Sequence, residues 1–227
     1  MNNTYNNNIT MKVKTAAILG ATGLIGSHLV ELLKNDREYD VIKVIVRRPV
    51  AIDHPKISVN VIDFTDESAF KSAIAESDAV FCAVGTTNRK VKGDKAAYRK
   101  VDFDIPVKAA KFCEQTGCNT FLLVSSIGAN SNSGNFYLKL KGEVEDAVGT
   151  LNIQSISVFR PSFLLGERQE NRSGEKIAKA LSSSLSFLFP SRYKPINAFD
   201  VARSMVSASV KNIPGFRIYQ YNEMISL

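Results

Sequence analysis

KTAAILGATGLIGSHLVELLKN, residues 14–35, decides the architecture. KTAAIL (14–19) reads as a short buried strand, and LIGSHLVELLKN (24–35) repeats its apolar positions at helical spacing. Between them lies GATGLIG (20–26), with glycines at 20, 23 and 26. A strand that passes through glycines straight into a helix is the first crossover of an α/β sheet.

Each glycine has a task in that context. Gly20 allows the tight turn, Gly23 lets the backbone approach a pyrophosphate, and Gly26 lets helix and strand pack closely. The helix N-terminus adds free N–H groups and a partial positive charge for the phosphates. Gly20, Thr22, Gly23, Leu24, Ile25 and Gly26 are therefore the expected phosphate-binding set. About twenty residues on, a site for NAD usually carries an acidic residue at the end of strand two. Here that place reads VIVRRP, with Arg47 and Arg48. Two cations suit a 2′-phosphate, so the expected cofactor is NADP(H) rather than NAD(H). Asp63, at the end of strand three, could accept from the adenine amine, or be a satisfied surface aspartate. Gly85, at the end of strand four, could let the chain pass close to the cofactor, or be a plain turn glycine.

The rest of the chain repeats the opening pattern. Strands are expected at 40–46, 57–63, 78–85, 120–126 and 156–161, with a last short one near 217–221. A helix at 65–77 is capped by Thr65 or Asp66. A long helical region covers about 95–115, where Pro106 either starts a new helix or kinks one. Further helices are expected near 175–187 and 200–211. Short apolar strands alternating with helices imply a parallel sheet covered on both faces. The expected fold is α/β, one doubly wound domain over 11–227 behind a disordered Asn-rich tail at 1–10. The irregular chain from Pro161 onward should form a small C-terminal lobe over the strand ends.

Bulk composition excludes several classes of function. The 227 residues are 44% hydrophobic and 22% charged, as in ordinary globular proteins. Two histidines, with three cysteines at no metal-like spacing, leave little material for a metal site or a Ser-His-Asp hydrolase. The odd cysteine count suggests free thiols in a reducing compartment. No run of about 18 apolar residues spans a membrane, and the start lacks a signal core. A cytoplasmic location follows as the expectation.

NFYLKLKGEVEDAV (135–148) is an amphipathic helix with Phe136, Leu140, Val144 and Ala147 at core spacing. Tyr137 and Lys141 stand i, i+4 on the neighbouring face and can touch; Lys139 points to the far side. Taken alone the pair is a boundary tyrosine and a solvated lysine. Its position changes the reading, because the helix follows strand five, which ends in Ser125-Ser126, and ligands bind beyond the carboxyl ends of such strands. Lys141 as ammonium would favour the tyrosinate of Tyr137 and could hold the nicotinamide ribose. Tyr137 would exchange a proton with a carbonyl or alcohol oxygen while hydride moves to or from the nicotinamide. A serine hydroxyl would orient that oxygen.

With GATGLIG, VGTT (84–87), LLVSSIGAN (122–130), NFYLKLKGEVE (135–145), VFRPSFLLGERQENRSGE (158–175) and INAFDVA (196–202), the chain resembles the atypical short-chain dehydrogenases/reductases. More narrowly it resembles the Tat-interacting-protein oxidoreductase family and its bacterial relatives, over about 14–212. The resemblance implies a Rossmann fold that binds NADP(H), with Ser126, Tyr137 and Lys141 as the catalytic set and Ser125 as the fallback serine. It also implies cofactor contacts from Thr86, Arg160 and Pro161. Some relatives in the wider superfamily only sense redox state, and others are sugar-nucleotide epimerases or dehydratases with a larger C-terminal domain. An oxidoreductase acting on a small carbonyl or alcohol is the leading expectation, with those two as alternatives.

Two segments stay outside this scheme. GERQENRSGE (166–175) is a substrate-facing loop or a solvated one. NRKVKGDKAAYRK (88–100) is a basic run within a net charge of +7; no nucleic-acid motif accompanies it, so a solvated face is expected there instead of a nucleic-acid surface. The expected partner is a small-molecule substrate. Relatives often pair through surface helices, so a homodimer is considered, with no interface marked.

Overall fold

The six strands expected before residue 162 all form, with ends that differ by up to three residues. The computed structural model describes residues 13–87, 89–165 and 191–227. Its strands are β1 (Thr15–Leu19), β2 (Val41–Val46), β3 (Ile57–Val61), β4 (Ala79–Cys82), β5 (Thr120–Val124), β6 (Ser155–Phe159), β7 (Leu164–Leu165), β8 (Ile196–Asn197) and β9 (Gly215–Tyr219). Seven of them make one sheet in the order β3-β2-β1-β4-β5-β6-β9, and every pairing is parallel. All seven carboxyl ends therefore lie along one edge. The chain order reverses across β1 and β4, which makes the gap between their ends the switch point where ligands bind in such sheets.

The helices are α1 (Leu24–Asn35), α2 (Glu67–Ile74), α3 (Lys95–Arg99), α4 (Ile105–Gln115), α5 (Phe136–Gly149), α6 (Ala198–Lys211) and α7 (Tyr221–Ser226). Alternate residues of β1 serve opposite faces of the sheet. Ala16 and Ile18 pack with Leu29 and Leu33 of α1 and Val201 and Met205 of α6. Ala17 and Leu19 pack with Phe70 of α2, Ala110 of α4, and Val144 and Val148 of α5. Burial on both sides is why the strand is a continuous apolar run rather than an alternating one. Asp66 caps α2 through the Ala69 N–H, which settles the choice left open with Thr65.

The long helical region is neither broken nor simply kinked at Pro106. α3 runs into a π-helical turn, Lys100–Asp104, and then into α4, with Pro106 in the first turn of α4. Proline lacks an N–H and its ring collides with the carbonyl four residues earlier, here that of Asp102. A wider turn relieves that collision.

The described part of the C-terminal third divides between two structures. β7 and β8 pair with each other beside the main sheet. α6 and β9 instead return to the sheet, where β9 extends it beyond β6. The helix α7 was not expected. The tail at 1–10, the loop at 166–175 and the helix expected near 175–187 lie outside the described residues. Among the described residues no helix is long and apolar enough to cross a membrane.

Candidate functional site

The glycine loop closes against β4 at the switch point. Gly20 has φ +87°, in the left-handed region, and a Cβ there would stand 2.6 Å from the Ala83 carbonyl oxygen. Gly26 is tighter still, since its Cβ would lie 1.9 Å from the Gly20 oxygen. Gly23 is the N-cap of α1, and its N–H bonds to the Gly20 carbonyl at 2.9 Å. It has no side chain to cap the helix. The N-terminal N–H groups of α1, from Leu24 and Ile25 onward, therefore depend on water or a ligand. A helix N-terminus without a side-chain cap, approached by a glycine loop, fits a pyrophosphate. Thr22 is exposed within the loop.

Arg47 and Arg48 leave β2 exposed at the same sheet edge, with no ion pair to either among the described residues. Asp63 follows β3 on that edge, also exposed. Its carboxylate accepts from the Thr65 N–H at 2.8 Å, and this bond, with the Thr65 hydroxyl, holds it below the usual carboxylate range. One oxygen of Asp63 thus braces its own turn. A Cβ on the exposed Gly85 would find only ordinary contact, with Asp102 Oδ1 at 3.6 Å, so this glycine is not sterically required.

Beyond β5, the two serines separate. Ser125 is buried and its hydroxyl donates to Glu145 Oε1; Ser126 is half-buried and makes one long bond, 3.4 Å, to the Ile127 carbonyl. Ser126 therefore keeps the less committed hydroxyl, and the fallback serine, Ser125, is the one that turns inward. The loop carrying Ser126 lies on the start of α5, where the Asn130 N–H bonds to the Leu138 carbonyl at 3.0 Å. Asn135 caps α5 through the Tyr137 and Leu138 N–H groups. Tyr137 stays 36% exposed, and Lys141 Nζ lies 5.9 Å from the centre of its ring.

Lys141 is not a solvated lysine. It is 5% exposed, and its Nζ lies 3.0 Å from Oδ1 of Asp102, itself 1% exposed. The other Asp102 oxygen accepts from the Thr86 N–H at 2.7 Å. Burial alone would lower the Lys141 pKa, but the charge of Asp102, helped by Tyr137 and the Asp102 hydrogen bond, leaves it raised. Lys141 is consequently an ammonium at neutral pH. One turn on, Glu145 is also buried and accepts from Ser125 and from the Arg160 guanidinium, with Arg160 Nε 3.0 and 3.1 Å from its two oxygens. Arg160 thus commits its side chain to Glu145 and offers the strand edge only main chain. The carbonyl of buried Pro161 receives the Ile127 N–H.

Three participants escaped the sequence reading. Asp102 gave no signal beyond its place four residues before Pro106. Glu145 looked like a surface acid. Gly142 did carry a signal, as a glycine inside a helix: a Cβ there would lie 2.1 Å from the Ser131 nitrogen, so it lets α5 press against the serine loop. In front of Tyr137 opens a cleft of about 700 Å³, lined by Thr86, Thr87, Gly93, Asp94, Lys95, Tyr98, Asn135, Phe136 and Tyr137.

Comparison with known proteins agrees with this fold. The family described as NAD(P)H-binding matches residues 20–170. Protein HTATIP2 of Rattus norvegicus is 34% identical over 200 residues, covering 87% of this chain and 81% of the relative. "Protein FMP52, mitochondrial" of Candida albicans is 33% identical over 204 residues, covering 87% of this chain and 89% of the relative. Among solved structures, the UDP-N-acetylglucosamine 4-epimerase of Methanobrevibacter ruminantium M1 in complex with UDP-N-acetylmuramic acid superposes with TM-score 0.70 at 17% identity, over 95% of this chain and 81% of the other. At that identity the likeness is one of fold.

Proposed function

The chain belongs to the NAD(P)H-binding family, with HTATIP2 and FMP52 among its relatives, and from that premise we propose that it is an NADP(H)-dependent oxidoreductase of the atypical short-chain dehydrogenase/reductase type. Its substrate is a small carbonyl or alcohol compound. The observation that carries the reading is the Lys141 ammonium, buried, fixed by Asp102 and set over the ring of Tyr137. The bound cofactor supplies or accepts a hydride. In the reducing direction Tyr137 gives its hydroxyl proton to the carbonyl oxygen as that carbon receives the hydride. Lys141 stabilises the tyrosinate left behind, which regains a proton from solvent. The sum is carbonyl, NADPH and H⁺ giving alcohol and NADP⁺. Ser126 holds the reacting oxygen. Arg47 and Arg48 would hold the 2′-phosphate, whose charge suits paired guanidinium groups.

Tyr137→Phe tests this. NADPH oxidation should fall by at least about a hundredfold, the scale of one acid–base group, while NADPH affinity changes little. Wild-type protein that binds NADPH but reduces no aldehyde, ketone or quinone would instead make the chain a cofactor-responsive binding protein. The three cysteines are free and buried, which suits a reducing compartment, and the proposed location is the cytoplasm. Recovery of the protein from a mitochondrial fraction would align it with the FMP52 name instead.

A further inference from the structure

The basic run after β4 has no part in the chemistry above. In the structure its Gly93, Asp94, Lys95 and Tyr98 line the cleft in front of Tyr137. Thr86 and Thr87 line one side, the chain turns through 89–93, and Asp94, Lys95 and Tyr98 line the return. The turn is closed by its own hydrogen bonds, from the Lys90 and Val91 N–H groups to the Thr87 carbonyl at 2.9 and 3.3 Å. Its side chains Arg89, Lys90 and Lys92 are exposed. Lys95 Nζ stands 5.4 Å from the centre of the Phe136 ring. The acid among them, Asp94, turns one oxygen to the Ala96 and Ala97 N–H groups as the cap of α3.

The inner wall is aromatic. Tyr98 stands edge-on to Phe136 at 5.8 Å and to Tyr137 at 6.3 Å between ring centres. Its hydroxyl donates to the Thr86 carbonyl at 3.2 Å, so what it adds to the cleft is ring surface. Rings of this kind hold a planar aromatic molecule edge-on or offset-stacked. Cations at a rim with low-dielectric walls draw in and retain an anion.

We propose that the cleft takes an aromatic carbonyl compound bearing an anionic group, its ring against Tyr98 and Phe136, its carbonyl at Tyr137, and its anion at Lys95, with Lys90 and Lys92 on the adjoining turn adding to the positive field. The carbonyl assignment rests on the oxidoreductase reading; the ring and the anion rest on the cleft alone. Binding and turnover therefore test them separately. The NADPH-loaded protein is titrated calorimetrically with benzoate and with benzamide, its neutral counterpart. Reduction of 4-carboxybenzaldehyde is then compared with that of benzaldehyde and of its 4-trimethylammonio derivative.

Benzoate should bind at least about tenfold more tightly than benzamide at low salt. That preference should shrink with added KCl and vanish in K90Q/K92Q/K95Q, which keeps its fold by circular dichroism. The three aldehydes should rank anionic, neutral, cationic in kcat/KM. Equal binding of benzoate and benzamide, no binding of either, or a preference that survives the triple substitution overturns the inference, even if aldehydes are reduced. A charge-dependent benzoate site without reduction of any aldehyde leaves the ring and anion assignments standing and overturns the carbonyl assignment together with the oxidoreductase reading.

Discussion

Replacing Asp102 by Asn removes one charge from a nearly dry ion pair. Asp102 and Lys141 are 1% and 5% exposed, so water cannot take the carboxylate's place. Removing one partner of such a pair costs about 3–5 kcal/mol. Asparagine keeps the shape but not the function. Asp102 accepts from two donors, Lys141 Nζ and the Thr86 N–H. An asparagine amide meets one of them with its carbonyl and must turn its own N–H groups toward the other. The retained bond recovers little, and a loss of about 3 kcal/mol is expected. For a chain of this size that lowers Tm by roughly 6–12 °C.

The pH dependence separates this cause from simple misfit. In the wild type Lys141 has a raised folded-state pKa, so its contribution is complete below the unfolded value of about 10.4 and is lost as pH rises through the folded value. Without Asp102, burial is left as the largest influence and acts in the opposite direction. The folded protein then resists protonating Lys141 while the unfolded chain accepts the proton freely. Stability of the variant should therefore climb as pH rises from 7 toward about 10, and its deficit against the wild type should shrink. The chain has no tryptophan, so urea unfolding is followed by far-UV circular dichroism at pH 7 and 9.5. A deficit at pH 7 below about 1 kcal/mol, the scale of an exposed pair, refutes the reasoning, as does a deficit that stays constant with pH.

Arg47→Gln with Arg48→Gln should weaken NADPH binding by at least about tenfold and leave NADH binding nearly unchanged if, as proposed, the guanidinium pair answers to the 2′-phosphate; nucleotide fluorescence titration measures both. Gly142→Ala should destabilise by about 1–3 kcal/mol, although alanine is the better helix former by about 1 kcal/mol, because its methyl would strike the Ser131 backbone; a rise in Tm would show that the loop yields. All three thiols should resist Ellman's reagent at pH 8 until the chain unfolds, since all are buried and burial pushes the Cys82 thiol up to about 11.

What could be read before the structure was whatever depends on local backbone rules. Gly26 is dictated by a close approach within one turn and Gly20 by its left-handed φ, and α1 begins and ends where its apolar spacing does. The strands were legible because a strand buried on both faces has to be apolar throughout. The π turn could not be read, because a proline in this position permits a new helix, a kink or a widened turn. Asp102, inside that turn, meets Lys141 and the Thr86 N–H across the fold, contacts that the local sequence does not show.

The polar side of α5 shows the same limit from another direction. Lys141 and Glu145 stand i, i+4, the spacing of a solvated pair on a helix surface. Yet both are buried, and neither pairs with the other. Lys141 goes to Asp102, 39 positions earlier in the chain, and Glu145 to Arg160, 15 positions later. A buried charge requires a partner, and when the partner comes from another strand or helix, the helix alone reads as amphipathic. The two pairs also divide the work around Tyr137. Glu145 joins α5 to the ends of β5 and β6 through Ser125 and Arg160. Asp102 joins Lys141 to the segment after β4 through the Thr86 N–H. The tyrosine one turn before Lys141 thereby stays open to the cleft while its ring is flanked by buried Tyr98 and Lys141. An acid–base group that must stay open to substrate can be positioned only by neighbours that are themselves closed to solvent, and closed polar neighbours are the ones a sequence hides.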